Sequence, residues 1–163
     1  MAHGDLTPAA DGRTLVAVFD SPVATSLLHF AHEAGYHTAL VEPDPSRRAH
    51  VRGPHDLLAA VTAEVLGPSV DVVVTDHDRP ELGALLADVL AHPTRWVGVM
   101  GSPRHTAPHV AALGALGLPE ADIGRVHRPI GLNIGSKSPA EIAISTLAGL
   151  LADRNGRPGG FDF

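Results

Sequence analysis

Four short, mostly apolar runs, each trailed by apolar residues at helical spacing, dictate what this chain can fold into. They are T-L-V-A-V-F (residues 14–19), H-T-A-L-V (37–41), V-D-V-V-V-T (70–75) and R-W-V-G-V-M (95–100). Runs this short and this rich in β-branched residues read as strands, and apolar residues recurring three and four apart read as helices. The first run is followed by Ser21-Pro22, a helix start with serine at the cap and proline at the first helical position. Val23, Leu27, Ala31 and Ala34 continue that helix to Gly35. After the second run, Leu57, Leu58, Val61 and Val65 form a helical stripe closed by Gly67-Pro68. Leu82, Leu85, Leu86, Val89 and Leu90 give the clearest amphipathic helix. Val110, Leu113 and Leu116 mark another. A short fifth strand is expected over 126–130, and Ile142, Ile144, Leu147, Leu150 and Leu151 form the last helix.

Strands that alternate with helices, three of them apolar nearly throughout, form a parallel sheet with helices on both faces. The expected architecture is α/β: one Rossmann-like three-layer domain over 14–153 with a parallel sheet of about five strands. Flexible tails are expected at 1–13 and 154–163, where glycine, proline and polar residues dominate. A length of 163 residues suits one such domain.

Composition removes several function classes. The net charge of −6 repels nucleic acid and anionic lipid. There is no cysteine, which excludes disulfides, thiol nucleophiles and thiolate metal sites. The first eleven residues lack the basic and apolar regions of a signal peptide, and no apolar stretch approaches the ~20 residues of a membrane helix. A cytoplasmic protein is expected. Eleven arginines accompany a single lysine, Lys137.

In parallel α/β sheets, ligands bind at the carboxyl ends of the strands, near the point where strand order reverses. With the order 3-2-1-4-5 that point falls between the runs 14–19 and 95–100, which directs attention to four turns. The first, Phe19-Asp20-Ser21, lacks the glycines of a dinucleotide-binding turn; a phenylalanine blocks close backbone approach and the Asp20 carboxylate repels a pyrophosphate. Glu42, at the end of the second run, stands where a ribose-binding acid would, with Arg47 and Arg48 nearby. These features keep an NAD(P)- or FAD-binding oxidoreductase as the alternative function. Thr75-Asp76-His77-Asp78 offers titratable groups for acid–base work or for reading a polar ligand, with helix capping as the plainer role.

Gly101-Ser102-Pro103-Arg104 permits a tight turn into a serine-capped helix start, where free backbone amides and a guanidinium suit an oxyanion. Residues 129–138, P-I-G-L-N-I-G-S-K-S, combine Gly131, Asn133, Gly135 and Lys137 just before S-P-A-E (138–141), which reads as a capping box. Exposed amides and the lone lysine would hold an anionic or hydrogen-bond-rich ligand. The pairs His29/His32 and His105/His109 have metal-ligand spacing but no evident third ligand. No G-x-S-x-G, H-E-x-x-H or Walker loop is present.

The ordered segments V-V-V-T-D-H-D (72–78), W-V-G-V-M-G-S-P-R (96–104) and H-R-P-I-G-L-N-I-G-S-K-S-P-A-E-I-A-I-S (127–145) resemble the Rossmann domain of the XdhC/CoxI family. These are accessory proteins of xanthine dehydrogenase, carbon monoxide dehydrogenase and related molybdenum hydroxylases. The resemblance covers roughly 70–152 and implies a binding role rather than catalysis: a chaperone that holds the molybdenum cofactor (molybdopterin), protects it and assists its sulfuration and insertion. It carries Gly101, Ser102 and Arg104 onto the family's glycine-serine-arginine turn, and Gly131, Asn133, Gly135 and Lys137 onto its P-I-G-L-D-I-G-A segment. Asp20, Ser21, Asp76, His77 and Asp78 complete the expected cofactor-binding set. Implied partners are an apo molybdenum hydroxylase and a separate XdhC-type N-terminal-domain protein or sulfurtransferase; a homodimer follows by analogy. Three departures stand out. The first turn has Phe19-Asp20-Ser21 in place of glycines, the sequence has no cysteine, and Asn133 replaces an acid.

Overall fold

The computed structural model describes residues 12–102, 104 and 106–163. The N-terminal tail expected over 1–13 therefore lies, apart from Gly12 and Arg13, outside the described residues. In chain order the elements are β1 Thr14–Val18, α1 Pro22–Glu33, β2 His37–Val41, α2 Pro45–Arg48, β3 Asp56–Leu58 and β4 Val70–Val74. They continue with α3 Leu82–Leu90, β5 Trp96–Val99, α4 Pro108–Ala115, α5 Glu120–Ile123, β6 Val126–His127 and α6 Pro139–Arg154. One six-stranded sheet runs β3-β2-β1-β4-β5-β6, and every pairing is parallel.

The pleat divides the apolar runs between two cores. Val16, Val18, Val72 and Val74 face α3 and α4 through Leu86, Val89 and Leu113. Leu15, Ala17 and Val73 face the other way, onto Leu27 and Ala31 of α1 and Leu147 and Leu150 of α6. Because both sheet faces are covered, the central strands need apolar residues at every position, which is why they read as unbroken runs. Ser21 caps α1 as expected: its hydroxyl accepts the Ala24 N–H at 3.1 Å, and Pro22 occupies the first turn.

The sheet has six strands rather than about five because the helix expected on Leu57, Leu58, Val61 and Val65 does not form. Asp56–Leu58 instead pairs with Ala39–Val41 as the edge strand β3, while Leu58 and Val65 pack on the core from partly buried positions. Those apolar residues span nine positions, short of the ~10–12 residues that a confident helix requires, and an open sheet edge offers backbone partners to such a segment. This extra strand moves the reversal of strand order. It lies between β1 and β4, not between the runs 14–19 and 95–100. The strand expected over 126–130 is confined to Val126–His127.

The C-terminal boundary shifts as well. Arg154, placed in the tail by sequence, ends α6 and donates Nε to the buried carboxylate of Asp71 at 3.0 Å. Arg95 donates to the other Asp71 oxygen at 2.5 Å and to Asp153 at 2.6 Å. Burial pushes the Asp71 carboxyl above its ordinary pKa despite these two guanidinium partners. This cluster ties α6 to the amino end of the sheet and leaves the carboxyl end free for other work.

Candidate functional site

At the carboxyl end of β1 the chain turns through Phe19, which is fully buried and adopts φ of 73°. A non-glycine residue in this left-handed region is uncommon and carries strain. The ring is held by the Arg79 guanidinium, 4.5 Å from its centroid. Arg79 in turn donates to both oxygens of Glu42, at 3.0 and 2.8 Å. The backbone N–H groups of Asp20 and Asp44 donate to the same two oxygens, each at 2.9 Å. Burial pushes the Glu42 carboxyl up, but the Arg79 hydrogen bonds and the two amides outweigh it and hold the group below the ordinary glutamate range. Glu42 is fully buried and each oxygen already accepts two bonds, so it has no acceptor to offer a ribose hydroxyl.

The turns after β1, β4 and β5 are tied to one another. Ser21 and Thr75 share a hydroxyl–hydroxyl bond of 2.9 Å, and Thr75 also donates to the Phe19 carbonyl at 2.9 Å. His77 Nδ1 donates to the Met100 carbonyl at 3.0 Å, and its Nε2 faces Asp78 Oδ1 at 3.6 Å. Asp76 accepts the Asp78 N–H at 3.0 Å in a local turn, and Asp78 projects into solvent. Asp76, His77 and Asp78 thus flank the β1/β4 reversal directly, a position that the sequence assigned to the 101–104 turn.

That turn is not a helix start. α4 begins at Pro108, with Ala107 as a cap that makes no side-chain bond. Ser102 instead accepts the Arg104 N–H at 3.2 Å on its hydroxyl and an Arg128 N–H at 3.1 Å on its carbonyl. Arg128 lies flat against Gly101, where an added Cβ would sit 2.5 Å from its Nη2. A second Arg128 nitrogen donates to the Thr106 carbonyl at 3.3 Å. Gly101, Ser102 and Arg104 therefore form a turn clasped by a guanidinium, without a helix dipole behind it. Arg104 is exposed. Pro103 and His105 lie outside the described residues, so the His105/His109 pair stays undescribed, while His109 is buried in α4.

The 129–138 loop lies along α6. Gly131 adopts φ of 81°, and a Cβ there would meet Ser145 Oγ at 2.8 Å and the Thr146 nitrogen at 3.1 Å. Ser145 donates to the Leu132 carbonyl at 2.6 Å and accepts the Leu132 N–H on its own carbonyl at 3.3 Å. Gly131 is thus a close-packing residue. Gly135, φ 67°, has open space where its Cβ would be. Asn133 and Lys137 are exposed. The capping box expected at 138–141 does not close: Ser138 makes no side-chain cap, and Ser136 takes its place by donating to Glu141 at 2.5 Å and accepting the Ser138 N–H at 3.0 Å.

The structure therefore brings Ser21, His77, Gly101 and Ser102 into one bonded edge, and leaves Asn133, Gly135 and Lys137 on a separate exposed loop at the same end of the sheet. Asp20 stands apart from both, on a cavity of ≈ 500 Å³ with His29, His50, Arg52 and His55. His32 meets His55 edge-on across 6.1 Å between ring centroids. Burial, reinforced by His32 and His29, holds the His55 imidazole below its ordinary pKa. Sequence reading passed over Arg79 and Arg128. Arg79 directly follows D-H-D and Arg128 sits inside H-R-P-I-G, so one bordered and the other lay within a segment already singled out.

The model of the XdhC Rossmann domain matches residues 15–150. The chain belongs to this family. It is also 38% identical over 104 residues to the uncharacterized protein YqeB of Escherichia coli K12, covering 63% of this chain and 18% of YqeB. The hemin import ATP-binding protein HmuV of Bordetella pertussis is 33% identical over 96 residues, 52% of this chain and 36% of HmuV. The match thus spans less than two fifths of either curated relative. Among solved structures, a xanthine dehydrogenase from Bacillus halodurans superposes with a TM-score of 0.69 at 22% identity, over 88% of this chain and 45% of that one. That likeness is one of fold. No helix among the described residues is long and apolar enough to cross a membrane.

Proposed function

We propose that this XdhC-type domain is an accessory module that binds the molybdenum cofactor, as molybdopterin, and passes it to an apo molybdenum hydroxylase of the xanthine dehydrogenase or carbon monoxide dehydrogenase type. The observation that carries this reading is the plug of Phe19, Arg79 and Glu42. It fills the niche where a Rossmann domain takes up a pyrophosphate and ribose, and so turns recognition toward the later turns. Family membership supports the accessory role, and the exposed groups suit the cargo. Arg104 and Lys137 supply cations for a terminal phosphate. Asp76 supplies a carboxylate acceptor and Asn133 an amide for a pterin edge, beside the His77 imidazole. A separate N-terminal-domain protein or sulfurtransferase would provide the thiol chemistry that a chain without cysteine cannot. The protein would act in the cytoplasm, where the cofactor is assembled.

Protein purified from a host with active cofactor synthesis is expected to carry pterin, seen as fluorescence after oxidative release. NADH, NADPH and FAD are expected to show no saturable micromolar binding by calorimetry. Absence of pterin together with saturable nucleotide or flavin binding would replace this reading with the oxidoreductase one.

A further inference from the structure

Beside Arg128, but built from other residues than those proposed for the pterin, a second cavity of ≈ 370 Å³ opens between α4, α5 and β6. Its walls are apolar: Val110, Ile123 and Val126. Its polar groups are His109 and Arg128, and both carry an atom without a partner. His109 is 4% exposed, and its Nδ1 is buried with no hydrogen bond. Arg128 Nε is likewise buried and unbonded. The remaining Arg128 bonds run to the carbonyls of Thr106 and Ser102, which hold the guanidinium in place without neutralising its charge. Burial and the neighbouring Arg128 charge hold the His109 imidazole below its ordinary pKa, so the ring is neutral near pH 7 and Nδ1 can carry a donated proton.

Buried polar groups in native structures are nearly always satisfied, and a fixed, unneutralised guanidinium beside an orphaned imidazole nitrogen lacks the same thing: an anionic acceptor. We propose that this cavity binds a small organic oxyanion, a carboxylate or phosphate on an apolar body. Its oxygens accept from Arg128 Nε and His109 Nδ1, and its apolar part packs on Val110, Ile123 and Val126. The apolar walls favour such a molecule over a bare inorganic ion, which leaves them wet.

The test uses the full chain with benzoate, inorganic phosphate and phenol as probes, and reads the His109 ring nitrogens by NMR. Benzoate is expected to bind saturably and to shift Nδ1, phosphate to bind more weakly, and neutral phenol to leave Nδ1 unmoved. Val110 is 48% exposed, so its replacement leaves the core intact. Val110→Glu is expected to weaken benzoate by about tenfold or more, and Val110→Lys to strengthen it, as charge at the cavity mouth demands. Wild-type Nδ1 unmoved by benzoate and phosphate, or equal affinities in the two Val110 variants, would overturn the proposal. Arg104→Ala with Lys137→Ala is expected to leave benzoate affinity unchanged, which separates this site from the pterin reading.

Discussion

Glu42 shows how far a residue's place in a fold can mislead about its work. It stands where a ribose-binding acid would, yet its carboxylate is spent on Arg79 and two amides. Removing one member of a buried ion pair leaves the other uncompensated, so Glu42→Gln is expected to destabilise the domain by roughly 3–5 kcal/mol in urea unfolding. The Glu42 carboxyl has a lowered folded-state pKa, so its contribution is complete above the ordinary glutamate range and is lost as pH falls through the folded value. The stability gap between wild type and Glu42→Gln should therefore shrink in acid, and a gap that widens there would refute the assignment. Phe19 sets strain against burial. Glycine at this position would relieve about 1–2 kcal/mol of left-handed strain but lose about 3–5 kcal/mol of ring burial. Phe19→Gly is thus expected to lower stability by roughly 1–4 kcal/mol, and a stabilised variant would contradict the plug.

At the scale of elements, the 129–138 loop divides into a part that packs and a part that is free. Gly131→Ala must both strain φ and push Cβ into Ser145, whereas Gly135→Ala meets only the strain. The first is expected to cost about 2–4 kcal/mol and the second about 1 kcal/mol, read as two clearly different drops in Tm. The loop was conspicuous in the sequence because glycines, an amide and a lone lysine precede a helix start. Which glycine packs and which is free was not legible there, since that depends on Ser145 and Thr146 about two turns into α6. The capping motif misled for a related reason. The S-x-x-E pattern names the partners of an ideal cap, but Ser136, two residues earlier, reaches Glu141 first. Likewise, Gly101-Ser102-Pro103 reads locally as a helix start, whereas Arg128 from beyond β6 clasps Gly101 and Ser102.

Over the whole molecule, the alternation of strand and helix and the two-sided burial of β1, β4 and β5 were plain from the apolar runs, because a doubly covered sheet writes itself into every residue of its central strands. An edge strand does not. β3 buries little, so its three residues carried no strand signature, and missing it displaced the order reversal by one strand. That displacement matters for function, since it brings Asp76, His77 and Asp78 to the reversal and sets the 101–104 turn one strand further out. On the proposed reading, cargo at this end of the sheet would be held by a bonded edge of turns flanked by two exposed cations.

The direct test of that arrangement is titration of freshly released molybdopterin into the wild-type chain and into the Arg104→Ala/Lys137→Ala double variant, followed by quenching of intrinsic fluorescence. Each lost charge-assisted phosphate contact is expected to remove about 1.5–3 kcal/mol, so the double variant should bind at least about a hundredfold more weakly with its Tm unchanged. Equal affinity in the two proteins would contradict the account.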